Sequence, residues 1–268
     1  MRRIAVVGAL VGVVAVVSGC WAFGPLTREG AEPSPVVQSY PGTSPWVAES
    51  VIILQLHSPA GMRLDPSKVS TQASVVGARL AALVGTAATV TVIPDDRLRI
   101  ELARSSDADA VKRVATAPGN LRFVGVPEAF NNAITSGGPL PSGMVAEPLF
   151  GAEGVADARV GTTASGLVAV DIDLQPAAGQ AFDAYAAEHQ FERFAIVLDG
   201  VVIEAPVLMA TSFNGRAQIS GGFDAQGALE LVAILHGTLP VAAEVLTVCP
   251  ATEECPAPGP SASPATSG

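Results

Sequence analysis

Between Val51 and Val126 the spacing of apolar residues switches from a strand period to a helix period and back, twice over, and this order constrains the fold more than any other feature of the chain. Val51 to Leu56 is a continuous apolar run that predicts a strand. Asp65 and Pro66 open a helix in which Val69, Ala73, Val76, Leu80 and Leu83 fall four and three apart, so one stripe faces a core. Thr89 to Ile93 and Arg97 to Leu102 then alternate polar with apolar, and Pro94, Asp95 and Asp96 supply the turn between them. Ser106 with Asp109 has the spacing of a capping box ahead of a helix carrying Val111 and Val114, and Leu121 to Val126 follows as a closing strand.

That order, βαββαβ, is the ferredoxin-like split βαβ, and it predicts an α+β unit over residues 47–126. From Pro127 to about Gly166 the chain is loop-rich, because Gly137, Gly138, Pro139, Pro141 and Gly143 interrupt any long element. A second α+β unit is expected within 127–248. Leu167 to Leu174 reads as a strand, Pro176 to His189 as a helix striped by Ala178, Phe182 and Tyr185, and Arg193 to Leu198 as another strand. Asp199-Gly200 between two apolar runs is a hairpin signal, since a type I′ turn needs positive φ at both central residues. Val201 to Ala205 returns, Arg216 to Ser220 is a further strand, Asp224 caps a helix with Ala228, Leu229, Val232 and Leu235 on one side, and Val241 to Thr247 closes the unit.

The N-terminus reads as an address. Arg2 and Arg3 precede an apolar run from Ile4 to Val17, too short to cross a bilayer, which needs about 20 apolar residues. Val17, Ser18, Gly19 and Cys20 resemble the lipobox of bacterial lipoproteins, in which a cysteine is lipidated and becomes the mature N-terminus. Residues 1–19 are therefore expected to be a signal peptide, Cys20 the lipid site, and the Pro-, Gly- and Ser-rich 20–46 a flexible tether. Two acyl chains supply the two hydrophobic signals that stable anchoring requires. The expected location is the extracytoplasmic face of the cell membrane. There, in an oxidising compartment, Cys249 and Cys255 are expected to form a disulfide at the head of a disordered tail, 249–268, worth roughly 2 kcal/mol for so short a loop.

The chain has 268 residues, 49% of them apolar and only 15% charged, which leaves about 200 residues to fold and excludes a disordered or fibrous protein. Its net charge of −10 becomes −12 once Arg2 and Arg3 are removed with the signal, and so acidic a chain is not suited to a phosphate backbone. No nucleic-acid partner is expected.

Four pieces in the second unit carry a family resemblance: Ala195-Ile196-Val197-Leu198-Asp199-Gly200, Ala205-Pro206, Gly215-Arg216-Ala217-Gln218-Ile219-Ser220-Gly221, and Gly237-Thr238-Leu239-Pro240. In this order and spacing they resemble the head subdomain of the first large periplasmic domain of SecD, the protein-export membrane subunit. Residues 50–126, with Leu121, Arg122 and Phe123 at their close, resemble the ferredoxin-like base of the same domain less strongly. Gly222 stands where family members carry a polar residue, and Thr238 where they carry Ala. SecD continues into transmembrane helices that conduct protons, and no apolar stretch of that length follows here, so proton-driven work is not carried over. The resemblance implies an extracytoplasmic module that contacts unfolded secretory polypeptide or components of the Sec translocon. Leu198, Asp199, Gly200, Pro206, Ile219, Ser220, Gly221, Leu239 and Pro240 read as structural residues of that module rather than ligands.

Little else points to chemistry. Asp171 and Asp173 share one face of a strand, as metal-binding or acid–base carboxylates can, but the simpler reading is the wet face of a half-buried strand. His57, His189 and His236 stand apart at element ends, and no nucleophile elbow, Walker loop, dinucleotide fingerprint or zinc-type cysteine pair is present. No cofactor is expected. The leading expectation is a non-enzymatic lipoprotein that binds polypeptide or envelope proteins and assists Sec-dependent export. The alternative is a binding lipoprotein for a small ligand or cell-wall component, which would need a closed apolar pocket between base and head.

Overall fold

The computed structural model describes residues 47–58, 62–103, 106–145, 147–220, 222–252 and 255. Cys20, the 20–46 segment, Gly221 and most of the tail lie outside them. The chain begins in the expected order with β1 (Ala48–His57), α1 (Pro66–Val84), β2 (Ala88–Ile93), β3 (Arg97–Ala103) and α2 (Ala108–Thr116). Asp65 caps α1 by accepting from the Ser67 amide, and Pro66 fills the first helical position, where a missing N–H costs nothing. The cap of α2 is Asp107 rather than Ser106: its carboxylate accepts from the amides of Asp109 and Ala110.

The first sheet runs β11–β1–β3–β2, with β11 spanning Ala242–Pro250 and every pairing antiparallel. This is the ferredoxin-like order, but its fourth strand comes from the far end of the chain. The strand expected in that place, β4 (Leu121–Val126), pairs instead with β8 (Arg193–Leu198) and β5 (Pro148–Gly151). The reason is burial on both faces. Leu121 and Phe123 enter one apolar core, while Val124 and Val126 enter another roofed by Ile134, Phe130, Leu140 and Met144. The base is thus assembled from both sides of the head in sequence.

The head holds two sheets: β5–β4–β8–β9, with β9 at Val201–Glu204, and β10–β7–β6, with β6 at Val155–Thr162, β7 at Val168–Leu174 and β10 at Arg216–Ile219. β5 and β6 occupy a stretch that reads as loop. β6 buries only Ala158 and so offers no apolar alternation to read. Asp199 and Gly200 have φ of 52° and 84°, both left-handed, as the hairpin requires. Helix α3 (Pro176–Glu188) packs its Ala178, Phe182 and Ala186 into the head core. Helix α4 (Ala225–Ile234) belongs to both units. Ala228, Leu231 and Val232 pack into the head core and Ala233 into the base core, beside α1 and α2. Among the described residues no helix is long and apolar enough to cross a membrane.

Candidate functional site: a clamped junction and an aromatic groove

Two chain segments cross between base and head, 117–120 and 236–241, and α1 holds both. Arg79, fully buried, donates to the carbonyls of Val114 and Ala117 at the end of α2, of Pro118, and of Gly237. Among the described residues no carboxylate pairs with it directly. The carbonyl dipoles at the C-terminus of α2 and the more distant charge of Asp199 compensate the guanidinium. Burial lowers its pKa to about 10, still far above neutrality, so Arg79 carries its charge. One turn pair earlier on α1, the fully buried Gln72 exchanges two hydrogen bonds with the main chain of Val241, at 3.1 and 3.2 Å.

Two of the family-motif residues, Asp199 and Leu239, meet at the same junction. Asp199 accepts from the amides of Gly119 and Asn120 at 3.1 and 2.7 Å, and its own amide donates to Asn120 O. Leu239 donates to Pro118 O, and Thr238 Oγ1 to Gly119 O. Gly119, at φ 79°, is where a side chain has no space, since a Cβ there would be built into the Arg79 guanidinium. Asp199 therefore works as a turn residue and as a fastener between hairpin and junction. Elsewhere in the motif, Ser220 is tied through N and Oγ to Glu204, Pro206 O accepts from Phe194 N, and Leu198 and Ile219 are buried.

A cleft of about 720 Å³ lies at this junction, lined by Asn120, Arg122, Glu153, Asp199 and Thr238 among others. The cleft is open and its lining mixed, with Pro118, Leu121, Pro148 and Ala152 beside the polar residues, unlike the closed apolar pocket that a small-ligand receptor would need.

A second cavity, of about 480 Å³, opens in the head itself. Its floor is aromatic. Five of the nine phenylalanines, Phe123, Phe150, Phe182, Phe194 and Phe213, form one stack, in which Phe182 lies 5.1 Å from Phe194 and 4.7 Å from Phe213 between ring centroids. Phe182, Phe194 and Phe213 reach the groove, with Pro206 and Val207 on one wall and Arg159, Asp173 and Arg216 on the other. The loop that carries Phe213 is pinned to α3, since Asp183 accepts from the Phe213 amide and the Ser212 hydroxyl, both at 2.7 Å. Those two bonds hold the Asp183 carboxyl below its ordinary pKa. Beyond Val207 the apolar surface continues. Phe191 N donates to Leu208 O and Leu208 N to Glu192 O, which lays 207–209 along the start of β8 and brings the exposed Phe191 and Met209 to the same edge.

Asp171 and Asp173 lie on one face of β7, with Ile172 and Val170 buried on the other. Each is engaged by a neighbouring strand: Gln218 Nε2 donates to Asp171 at 2.7 Å, and Arg159 and Arg216 flank Asp173. The Arg159 guanidinium holds Asp173 below the usual carboxylate range, opposite to what a general acid requires. His57 meets Glu244, His189 meets Glu192 and stacks on Tyr185, and His236 bonds Val232 O, so the structure brings none of the three together. Among the described residues no cluster of His, Cys, Asp and Glu could hold a metal. Cys249 and Cys255 are joined, with Cα atoms 5.7 Å apart, and Cys249 packs on Val51 and Ile53 on the outer face of the base sheet.

Sequence reasoning missed Arg79 and Gln72. Their signal was present, as both fall seven apart within the apolar stripe of α1, where a polar side chain must find buried partners. The aromatic stack leaves no such signal, because its members come from five separate elements and loops.

Comparison with known proteins assigns this arrangement. A family profile described as SecDF, P1 head subdomain, matches residues 136–241. The protein translocase subunit SecD of Acetobacter pasteurianus is 33% identical over 171 residues, 57% of this chain and 32% of that protein. SecD of Rhodobacter capsulatus is 31% identical over 158 residues, 54% of this chain and 28% of that protein. Of solved structures, SecDF in its super-membrane-facing form matches with a TM-score of 0.63 at 23% identity, over 75% of this chain and 30% of that one. A structure of the membrane component SecDF that enhances protein export matches with a TM-score of 0.60 over 74% of this chain and 98% of that chain, also at 23% identity. The fold is that of a SecDF P1 region, and the chain contains a SecD-type P1 domain. It spans about a third of the length of these two SecD proteins.

Proposed function

We propose that this chain is a non-enzymatic, extracytoplasmic lipoprotein, held at the membrane through Cys20, whose head assists Sec-dependent protein export by binding apolar segments of unfolded polypeptide. The observation that carries the reading is the head groove with its close-packed Phe182–Phe194–Phe213 floor, continued at the surface by Val207, Met209 and Phe191. Phe191 is 67% exposed at φ 71° and Met209 is 69% exposed, an arrangement that costs solubility without any benefit to the core. A close-packed aromatic floor with a thioether beside it suits apolar side chains of varied shape, because Met adapts its rotamers while the packed rings set the base of the groove. The match to the SecDF P1 head supports the same reading. The junction cleft is open to solvent rather than closed, and so gives no support to a small-ligand receptor.

Val207→Asp and Met209→Asp test the proposal by binding of a fluorescent, unfolded secretory polypeptide to the purified chain. Each removes apolar contact at an exposed position, so the melting temperature is expected to stay within about 2 °C. Losing one apolar contact worth about 1.5 kcal/mol should weaken binding roughly tenfold. Affinity unchanged in both variants would sink the groove as the binding surface.

A further inference from the structure

We propose that the free edge of β2 joins two copies of this chain, pairing antiparallel about a twofold axis through Val90. Natural sheets blunt their edges with charge, proline, bulges or brevity. Each of the other edges here does so. β11 carries Glu244, a register shift and Pro250; β6 carries Asp157, Arg159 and a register shift; β5 and β9 are four residues long with register shifts; and β10 is four residues long and begins at Arg216. β2 is the exception. Its six residues, Ala88–Ile93, contain no charge, glycine or proline, and its register against β3 is unbroken.

The hydrogen-bonding groups of β2 are set to receive a strand. Ala103 N donates to Ala87 O at 2.9 Å, so 87/103 is a bonded pair, and by alternation so are 89/101, 91/99 and 93/97. The N–H and C=O groups of Ala88, Val90 and Val92 therefore point away from β3, and among the described residues no hydrogen bond is recorded that uses them. Val92 is 48% exposed.

The occupant is argued from the sequence of the strand. Thr89-Val90-Thr91 is symmetric about Val90. A twofold there sets Val90 against Val90 of the second copy, Thr89 against Thr91, and Ala88 against Val92, pairings that cross-strand contacts favour. Residues 85–94 contain no charged side chain, so two copies of a chain with net charge −10 would meet where neither repels the other. An extended polypeptide of arbitrary sequence would gain nothing from that symmetry.

The test is Val90→Cys in the full chain expressed into a bacterial envelope. Facing Cα atoms in a bonded antiparallel pair lie about 5.5 Å apart, within disulfide reach. Mild oxidation should convert at least half of the protein to a covalent dimer, while Leu167→Cys, at an exposed position away from this edge, should give none. In parallel, the unsubstituted full chain in detergent is expected to sediment as a dimer at 50 µM and the Val92→Lys chain, changed at the exposed position of the strand, as a folded monomer. A monomeric unsubstituted chain, or disulfide adducts of the Val90→Cys chain with varied polypeptides instead of a second copy, would overturn the proposal.

Discussion

Arg79→Met is expected to destabilise the protein by about 3–5 kcal/mol. The buried guanidinium serves the carbonyls of Val114, Ala117, Pro118 and Gly237, and methionine satisfies none of them. Each abandoned acceptor costs about 1–3 kcal/mol, reduced where water can enter from the junction cleft. For a folded unit of this size the melting temperature should fall by roughly 10 °C. Arg79→Lys keeps the charge but not the fork, and should recover part of the loss. Gly119→Ala acts on the same clamp, since its Cβ would displace the guanidinium and its φ of 79° strains any L side chain. The double variant is then expected to lose less than the sum of the two singles. Additivity in thermal denaturation would show that Gly119 and Arg79 do not share a clamp.

Cys20→Ala is expected to move the chain from the membrane fraction to the soluble extracytoplasmic fraction almost completely. Lipid chains contribute about 0.8 kcal/mol per buried CH₂, and two chains together make attachment stable. Beyond the signal its net charge is −12, so an anionic membrane surface repels it, and the described residues contain no helix fit to span a bilayer. Fractionation with and without the substitution checks this; equal membrane retention would show that the segment before Cys20 stays as the anchor.

The base was legible in sequence because its elements announce themselves by period. Val69, Val76, Leu80 and Leu83 show the helix, and Leu98, Ile100 and Leu102 show the half-buried strand; each stands buried in the structure. What could not be read was partnership. β4 and β11 are both short apolar strands, and only the double-sided burial of Phe123 and Val124 assigns the first to the head and leaves the second to close the base. The Asp199-Gly200 hairpin was legible because both residues must take left-handed φ, and the other head motifs by their order and spacing alone, since the contacts of Leu239 and Thr238 with the junction main chain exist only in the fold. The groove was not legible, because Phe182, Phe194 and Phe213 become neighbours only after three elements pack.

The central claim is that the head touches polypeptide in transit. It is tested most directly by placing a photocrosslinking side chain at Val207 or Met209, beside the groove, and at Leu167, an exposed head position outside its lining, in actively secreting cells. Adducts are expected between the groove positions and translocating chains, and none from position 167. Groove positions that yield no adduct with any secretory chain, while the protein is folded and present at the membrane, would contradict it.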